Sequence, residues 1–366
     1  MKVEIIAFYL PQYHPFKEND EWWGKGFTEW TNVGKAKPLF KGHNQPRVPT
    51  ELGYYDLRLP IIREQQAKMA RDAGVTAFCY WHYWFGNGKR LIPEVFQEVL
   101  DSGRPDFPFC LGWANHSWYA KNWNGDGSIS QKMLMEQTYP GIEDEKMHFD
   151  FLLKAFKDDR YIKIAGKPLL YIFAPKDLPQ DYLVNFRKWT IEAGFPDLYV
   201  VANISDMRIG KEVFLQMGYD AVSYQRLGMK LIAGNRFSNK VHRLAYKWGK
   251  KMKGVIFHQP PFMTNYENAI KNLILPGDEA EDVIPVILPQ WDHTPRSGWN
   301  GSLLYNANPE MFYWHCKRAL EAVKNKENPV LFLKSWNEWG EGNMMEPDLT
   351  YGRGFIDALR KAVDEF

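Results

Sequence analysis

Short, strongly apolar segments alternate with longer segments of mixed character along the whole chain. Eight apolar runs are nearly continuous rather than alternating, which is typical of strands that are buried on both faces. They are Val3–Leu10, Val75–Trp84, Phe107–Trp118, Pro168–Ala174, Leu198–Ile204, Ala221–Gln225, Val283–Trp291 and Pro329–Trp336. We predict a β-strand at each of them.

Helical patterns lie between these strands. Pro60 and Gly74 delimit a helix over Ile61–Ala73, because proline is favoured in a first helical turn and glycine after the last. Apolar stripes at helical spacing recur within residues 92–100, 312–323 and 355–363. The repeated strand-then-helix order predicts an α/β fold, a (β/α)8 TIM barrel, as a single domain over residues 1–366. An open doubly wound sheet is the alternative, but the chain lacks a dinucleotide-binding glycine motif.

Three connections are much longer than the others. They cover residues 11–59, 119–142 and 226–282, and each follows the carboxyl end of a predicted strand. Barrel enzymes build their active sites from the loops at that face. We therefore expect these extended βα loops to contribute to a binding site.

Composition narrows the classes of function. The chain contains 15 Trp, 19 Tyr and 23 Phe, and this aromatic share of 16% exceeds what a plain core needs and suggests surfaces that stack against a ligand. The net charge of +2 argues against a general nucleic-acid binder. The three cysteines are too few and irregularly spaced for a disulfide framework or a zinc site.

The location is expected to be cytoplasmic. The first apolar run is interrupted by Pro11-Gln12, too early for a signal peptide. No run approaches the roughly 18 apolar residues of a membrane span, so no transmembrane segment is expected.

The most informative motif follows the last predicted strand. In Trp336-Asn337-Glu338-Trp339-Gly340-Glu341-Gly342 two carboxylates stand three residues apart, and a turn at the glycines would direct both into one cavity. Aromatic surroundings would raise the pKa of one carboxylate and leave the other ionised. Glycoside hydrolysis needs such a pair, so Glu338 and Glu341 are the predicted catalytic residues. The alternative is a solvated loop with two ordinary glutamates.

The other strand ends combine aromatic and hydrogen-bonding side chains. Sugars require both, because aromatic rings cover the apolar faces of pyranoses and polar groups bind their hydroxyls. The predicted substrate-binding residues are Tyr9, Tyr13, His14, Trp30, His82, Tyr83, Trp84, Trp113, Asn115, His116, Trp118, Trp291, Asp292, His293, Asn337 and Trp339. For any single aromatic residue, packing in the core is the alternative.

No cofactor and no metal are expected. The histidines at the strand ends lack a local ligand spacing. The chain contains no GxSxG nucleophile motif and no phosphate-binding P-loop.

A basic stretch lies in the third long loop. Between Arg226 and Lys253 there are nine Lys or Arg residues and no acidic residue. Such a run is typical of a solvated helix face. The more specific hypothesis is that residues 226–253 contact an anionic ligand or a membrane surface.

Several blocks of the sequence resemble one known family. They include Tyr9-Leu10-Pro11-Gln12-Tyr13-His14, Gly26-Phe27-Thr28-Glu29-Trp30, Trp113-Ala114-Asn115 and the Asn337–Gly342 motif. The chain resembles the WbsX-like proteins of bacterial polysaccharide and O-antigen gene clusters, which are related to the endo-α-mannosidases of glycoside hydrolase family 99. The resemblance covers nearly the whole chain and implies a (β/α)8 barrel.

The resemblance also implies a mechanism. Glu338 would act as a base on the 2-hydroxyl of the substrate, which closes onto the anomeric carbon as a 1,2-anhydro sugar. Glu341 would protonate the leaving oxygen and later activate water. The resemblance therefore implies a retaining glycoside hydrolase that acts on a bacterial polysaccharide or oligosaccharide.

Two positions depart from the family pattern. His116 stands where a glutamate is common, and His293 stands where an asparagine is common. Both changes affect the expected substrate rather than the catalytic pair. A glycosyltransferase of polysaccharide assembly and a non-catalytic glycan-binding barrel are the alternative functions.

Overall fold

A computed structural model describes residues 3–123, 129–226 and 262–366, together with residues 248, 249, 252, 256 and 260. Of the basic stretch, only Arg226 among the nine cationic residues falls within this part of the chain. Its guanidinium is buried and lies 2.6 Å from Oδ1 of Asp278. The other cationic residues, and with them the hypothesis of an anionic contact, lie outside the described residues.

Eight parallel strands form a nearly closed barrel, which confirms the predicted fold class. They are β1 (Glu4–Tyr9), β2 (Ala77–His82), β3 (Phe109–Trp113), β4 (Lys167–Ile172), β5 (Tyr199–Ile204), β6 (Ala221–Tyr224), β7 (Val286–Ile287) and β8 (Val330–Leu333). Neighbours pair in the order β7-β8-β1-β2-β3-β4-β5-β6. Each strand falls within one of the predicted apolar runs, apart from a one-residue extension of β4.

The ring closes between β6 and β7 through one isolated parallel bridge, Val222 with Val283. The amide of Ile284 donates to the carbonyl oxygen of Val222 at 2.8 Å, and the Val222 amide donates to Asp282 at 2.9 Å. This closure, which we call the seam, has far fewer ladder hydrogen bonds than the β1–β8 pairing from Glu4 to Ala7.

Helices follow the strands and cover the outside of the barrel. They are α1 (Pro60–Ala73), α2 (Glu94–Ser102), α3 (Ile142–Phe156), α4 (Gln180–Glu192), α5 (Lys211–Gln216), α6 (Tyr266–Ile270), α7 (Pro309–Val323) and α8 (Gly354–Asp364). The predicted boundary signals hold for α1, where Pro60 is the first residue and Gly74 adopts a left-handed φ of 87°.

Smaller elements lie in the loops. The helices are Lys17–Trp23, Glu29–Lys35 and Thr294–Ser297, and the 3-10 turns are Gly298–Asn300 and Trp339–Glu341. The antiparallel strand pairs are Trp118–Trp123 with Ile129–Met135, Lys163–Ile164 with β4, and Asn337–Glu338 with Asn343–Met344, while Met263–Asn265 pairs in parallel with Leu303–Tyr305.

The third strand is shorter than predicted. β3 ends at Trp113, because the Asn115 side chain then turns to bind the backbone amide and carbonyl of Ala174 at 2.7 and 2.9 Å. Trp118, predicted as the end of the same strand, instead begins the antiparallel hairpin of the second long loop.

Aromatic side chains fill the barrel interior. The ring of Phe8 lies 4.9 Å from Trp81, 4.9 Å from Tyr171 and 5.1 Å from Phe332. Interior positions of small barrels are filled by side chains from several strands in layers. Part of the aromatic excess therefore packs the core directly beneath the carboxyl-end loops.

The amino end of the barrel carries a cavity of about 700 Å³. Val3, at the start of the described chain, and the last residue, Phe366, both line it, beside Thr76 and Pro108 at the starts of β2 and β3. The first and last residues of the described chain thus lie at this face of the barrel.

The described residues include neither a helix that could cross a membrane nor a metal-binding cluster of side chains. None of their helices combines the length and the apolar character needed to cross a membrane. No group of three or more His, Cys, Asp or Glu side chains among them is placed to hold a metal ion.

Candidate active site

The motif that carries the two glutamates forms a tight turn after β8, at the carboxyl end of the barrel. Asn337–Glu338 pairs antiparallel with Asn343–Met344, and Trp339–Glu341 form a single 3-10 turn between them. The turn directs the carboxylates of Glu338 and Glu341 into one cleft.

Two glycines permit the close packing of this turn. Gly342 has a φ of 53°, in the left-handed region that favours glycine, and a Cβ there would lie 2.7 Å from Cβ of Asp292. A Cβ on Gly340 would overlap Oε2 of Glu29 and approach Nε of Arg296 to 3.0 Å. The loops after β1 and β7 can therefore close onto the carboxylate pair.

Arg296 connects the two glutamates. Its Nη1 lies 2.6 Å from Oε1 of Glu341, and its Nη2 lies 3.2 Å from Oε2 of Glu338. Its Nε donates to Oε2 of Glu29 at 3.1 Å. One guanidinium thus bridges three carboxylates that come from the loops after β1 and β8.

The surroundings of the pair separate its two pKa values. Burial, together with repulsion from Glu341, raises the pKa of Glu338 to about 8. Burial also acts to raise the pKa of Glu341, but the nearby charges of Arg296, Lys334 and His293 outweigh it and lower that pKa below its ordinary value. At neutral pH Glu338 therefore holds a proton and Glu341 carries a negative charge.

Lys334 is a second cation of the cleft. It follows β8 directly, and its Nζ lies 5.4 Å from the centre of the Trp291 ring. Burial lowers the pKa of Lys334, although Glu341 and Glu338 oppose the shift. Its charge therefore depends on the charge of the glutamate pair.

The cleft has a volume of about 380 Å³, which suits one or two sugar rings within the usual range for ligand sites. Aromatic walls and polar groups alternate around it. The lining residues are Phe8, Leu10, Gln12, Trp81, Tyr83, Ala114, His116, Trp118, Phe173, Trp291, Arg296, Lys334, Ser335, Glu338 and Glu341.

Four of the predicted substrate-binding residues line this cleft: Tyr83, His116, Trp118 and Trp291. His293 lies next to them, with its ring stacked at 5.9 Å on Trp291 and its Nε2 3.9 Å from Oε1 of Glu341. These residues come from the segments after β2, β3 and β7, so the structure brings together side chains that are far apart in sequence.

His116 has an unused polar atom at the cleft. Its ring stacks on Phe173 at 4.8 Å, and within the described part of the chain its buried Nδ1 has no hydrogen-bond partner. Burial lowers the pKa of His116, so the imidazole is neutral at neutral pH and could accept or donate one hydrogen bond to a ligand.

A second set of predicted residues supports the turn from behind. The hydroxyl of Tyr13 donates to the carbonyl oxygen of Asn337 at 2.6 Å and accepts from the amide of Trp339 at 2.9 Å. The Asn337 side chain binds both the amide and the carbonyl of Leu10. Trp30 packs on Trp339 at 5.5 Å. These contacts position the glutamates. The four predicted residues that make them do not line the cleft: Tyr13, Trp30, Asn337 and Trp339.

A cluster of three predicted residues surrounds the buried His148. Nε2 of His82 lies 2.9 Å from Nε2 of His148, and the rings of Trp84 and Trp113 pack on the same imidazole at 4.6 and 4.5 Å. The cluster lies between β2, β3 and α3, outside the cleft lining.

The remaining predicted residues are also buried away from the cleft lining. Tyr9 donates to Gln66 of α1 at 2.7 Å, so its side chain points to the helix layer. His14 is fully buried, and Asn115 holds the backbone of Ala174. Asp292 accepts from Gln45 at 2.7 Å, and this contact, together with His43 and Thr294, overcomes burial and lowers its pKa to about 2.

The comparison with protein families agrees with the resemblance in the sequence. A family model described as Glycosyltransferase WbsX matches residues 5–359. The chain belongs to the WbsX family.

Two relatives of this WbsX protein are the uncharacterized WxcX proteins of Xanthomonas campestris pv. campestris, strains B100 and ATCC 33913. They are 31% and 30% identical to it over 369 and 380 residues, with 98% of this chain covered. The chain spans about half the length of these relatives, 49% in both cases.

Solved structures share the fold of the WbsX chain. The family GH99 endo-α-mannosidase from Bacteroides thetaiotaomicron, in complex with Bis-Tris propane, superposes with a TM-score of 0.58 at 15% identity. The match covers 99% of this chain and 96% of that one. A glycoside hydrolase-like protein superposes with a TM-score of 0.56, also at 15% identity. The chain therefore has a glycoside-hydrolase-like barrel fold.

Several cleft residues of the WbsX chain were missed by the sequence analysis. Arg296 and Glu29 lie in loops whose mutual distance no local pattern reveals, and Lys334 stands two residues before the Trp336–Gly342 motif, whose pattern assigns it no role. The sequence did contain an indication of Arg296, because this cation lies four residues after Asp292, which directly follows a predicted strand. Trp81 likewise follows from its place within a predicted strand end.

Proposed function

We propose that the protein is a retaining glycoside hydrolase acting on a bacterial polysaccharide or its oligosaccharides. One observation carries the proposal. Glu338 and Glu341 lie at one end of an aromatic-walled cleft with their pKa values shifted in opposite directions. A pair of carboxyl groups in different protonation states supplies the acid and the base that glycosidic bond cleavage requires.

The proposed reaction has two steps. In the first, Glu338 removes the proton of the substrate 2-hydroxyl, its oxygen bonds to the anomeric carbon, and Glu341 donates a proton to the leaving oxygen as the glycosidic bond breaks. In the second, Glu341 removes a proton from water, the water oxygen bonds to the anomeric carbon as the bond between that carbon and O2 breaks, and Glu338 returns its proton to O2. Both carboxyl groups regain their starting state, and the anomeric configuration is retained.

Substrate binding must reverse the order of protonation, because the surroundings of the pair place the proton on Glu338. A 2-hydroxyl that donates to Glu338 favours its ionised form. A glycosidic oxygen that takes the place of Arg296 next to Glu341 removes the contact that keeps Glu341 ionised. Both effects favour transfer of the proton from Glu338 to Glu341 when a sugar occupies the cleft.

The family description favours a second candidate, a glycosyltransferase. The same site catalyses glycosyl transfer if a sugar hydroxyl rather than water opens the anhydro intermediate. Adding an acceptor oligosaccharide distinguishes the two by their product ratio: a transferase forms mainly longer glycans, whereas a hydrolase gives mainly shorter ones. Binding of a nucleotide sugar to the purified protein would favour the transferase.

The catalytic assignment is tested with Glu338→Gln and Glu341→Gln. Each should lower kcat on a cleaved glycan by about a thousandfold or more, since positioned acid and base groups contribute factors of roughly 10²–10⁴. Glu192→Gln, on the exposed surface of α4, is the matched control and should retain full activity. Full activity in both site variants would disprove the assignment, and binding without any cleavage would favour a glycan-binding barrel.

The route through an anhydro sugar has its own test. A substrate that lacks the 2-hydroxyl should bind but not react, because no oxygen is available to close onto the anomeric carbon. Ready cleavage of the 2-deoxy substrate would instead favour direct attack by a carboxylate.

A further inference from the structure

A second aromatic surface lies in the loop after β1, outside the cleft. Trp23, at the end of helix Lys17–Trp23, is 48% exposed. Its ring lies 5.9 Å from that of Phe27, with the two planes inclined by 35°. We call these two side chains the outer platform. Neither was predicted as a site residue, and neither lines the cleft.

The outer platform is held in place by a hydrogen-bonded turn. The amide of Gly24 donates to the carbonyl oxygen of Asp20 at 3.1 Å, and the amide of Phe27 donates to Gly24 at 3.1 Å. The Asp20 carboxylate accepts from the amide of Gly26 at 2.8 Å. Phe27 is therefore folded back onto Trp23 without a ligand, so binding a ligand there needs little further ordering.

The outer platform lies next along the chain to a residue that packs on the aromatic wall of the cleft. Trp22, its chain neighbour, lies 6.0 Å from Trp118, and Trp118 lines the cleft. Trp118 in turn packs edge-on against Tyr83 at 5.2 Å. Aromatic rings thus lead from Tyr83, in the cleft, across Trp118 to Trp22, which directly precedes Trp23 of the outer platform in the helix Lys17–Trp23.

The surroundings of the outer platform favour a glycan over a protein partner. Exposed aromatic residues that stand singly are common on protein surfaces, and a stable protein interface needs an apolar patch of several hundred Å² per partner. Here the charged, exposed residues Glu21 and Lys25 flank the rings. A small aromatic plate with polar neighbours suits a sugar ring, which has apolar faces and a hydroxylated edge.

We propose that the outer platform is a distal subsite that binds further sugar residues of the glycan held in the cleft. The substrate is then an oligosaccharide or polysaccharide chain longer than the cleft itself. This inference rests on the proposed function, because it takes the occupant of the cleft to be a glycan.

The test measures affinity as a function of glycan length. The probe is a set of oligosaccharides, from disaccharides to octasaccharides, made by partial acid hydrolysis of the surface polysaccharide of the bacterium that carries the gene. Binding is measured by calorimetry in the Glu338→Gln background, so that cleavage does not interfere. In the double variant Trp23→Ala, Phe27→Ala the affinity for the long members should fall about tenfold, as for the loss of a stacking residue, while disaccharide affinity changes less than twofold.

Two controls separate the subsite from general damage. Trp314→Ala removes a tryptophan that is 58% exposed on α7 and should leave affinity at every length unchanged. Trp23→Phe should restore most of the affinity for the long members. An equal loss at all lengths, no loss at any length, or no binding by the parent protein would each overturn the subsite.

The outcome is independent of catalysis. Length-dependent binding that needs Trp23, without cleavage by the wild-type protein, would support the subsite and count against the hydrolase. Cleavage by the wild-type protein, with unchanged binding in the platform variants, would support the hydrolase and count against the subsite.

Discussion

Glu338 and Glu341 are the same residue type three positions apart, yet their surroundings keep Glu338 protonated and Glu341 ionised at neutral pH. Glu338 has the weaker contact with Arg296, at 3.2 Å, whereas Glu341 has the shorter one, at 2.6 Å, and lies near His293. Differences in distance to a single guanidinium and to His293 therefore decide which carboxyl group holds the proton.

We expect Glu338 to destabilise the folded protein at alkaline pH. Its pKa is raised from 4.5 to about 8 on folding, so the folded state binds this proton more tightly and loses stability as pH rises between these values. Glu338→Gln cannot ionise, and its advantage over wild type in free energy of unfolding should grow by about 4 kcal/mol between pH 5 and pH 9. Thermal unfolding at both pH values checks this, and a pH-independent difference would contradict it.

Asp292 should behave in the opposite way. Its pKa is lowered from 3.8 to about 2, so its contribution is present above the unfolded pKa and disappears as pH falls through the folded pKa. Asp292→Asn should therefore cost about 2 kcal/mol at pH 7, and the cost should vanish towards pH 2. Urea unfolding over this range measures it, with Asp150→Asn, on the exposed face of α3, as the control. An equal cost at both ends of the range would show that ionisation is not the cause.

At the scale of elements, the turn after β8 and the helix Glu29–Lys35 act as one unit. Arg296 binds Glu29 at the start of that helix, while Trp30 packs on Trp339 of the turn. Together with the hydrogen bonds of Tyr13 to Asn337 and Trp339, these two contacts join the loop after β1 to the turn after β8.

We expect Arg296→Lys to shift the pH dependence of activity. A lysine cannot reproduce the fork that contacts both glutamates, and loss of the 2.6 Å contact should raise the pKa of Glu341. The acid limb of the kcat/KM profile should therefore move to higher pH, with a drop in kcat of about tenfold or more. Steady-state kinetics across pH check this.

Arg318→Lys is the matched control, since Arg318 of α7 donates to the backbone carbonyl oxygens of Ile270, Lys271 and Ile274. It should leave the profile unchanged. A profile for Arg296→Lys that falls in height without moving along the pH axis would mean that Arg296 has a purely structural role.

The sequence predicted this unit only in part. Asn337–Gly342 could be recognised because its residues are neighbours in the chain and its glycines allow a turn. The contact of Arg296 with Glu29 joins residues 267 positions apart, and no local periodicity encodes such a distance. For the same reason the hairpin Trp118–Trp123 with Ile129–Met135 was not foreseen, since Trp118 continues the apolar run of β3.

At the scale of the whole molecule, the strand order of the barrel was predictable and its closure was not. Near-continuous apolar runs mark strands covered on both faces, and this pattern holds for all eight. Within the run Val283–Trp291, however, only Val286–Ile287 forms a regular ladder. Apolar character specifies burial but not how many backbone groups find a partner strand.

The seam between β6 and β7 should therefore open more readily than the rest of the barrel. Amide hydrogen exchange of Val222 and Ile284, whose bonds form the closure, should be about tenfold or more faster than that of Ile6 and Phe332 in β1 and β8, because local opening breaks fewer bonds. Exchange followed by NMR or mass spectrometry measures the ratio. Equal protection at both places would show that the barrel opens only as a whole.

The position of the chain ends has a practical consequence. Val3 and Phe366 border one cavity at the amino end of the barrel, whereas the glutamate pair lies at the carboxyl end. A tag, a fluorescent protein or a surface linker joined at either end is attached on the side of the barrel remote from the cleft. Fusion and immobilisation at these points should therefore leave the entrance open to large glycans.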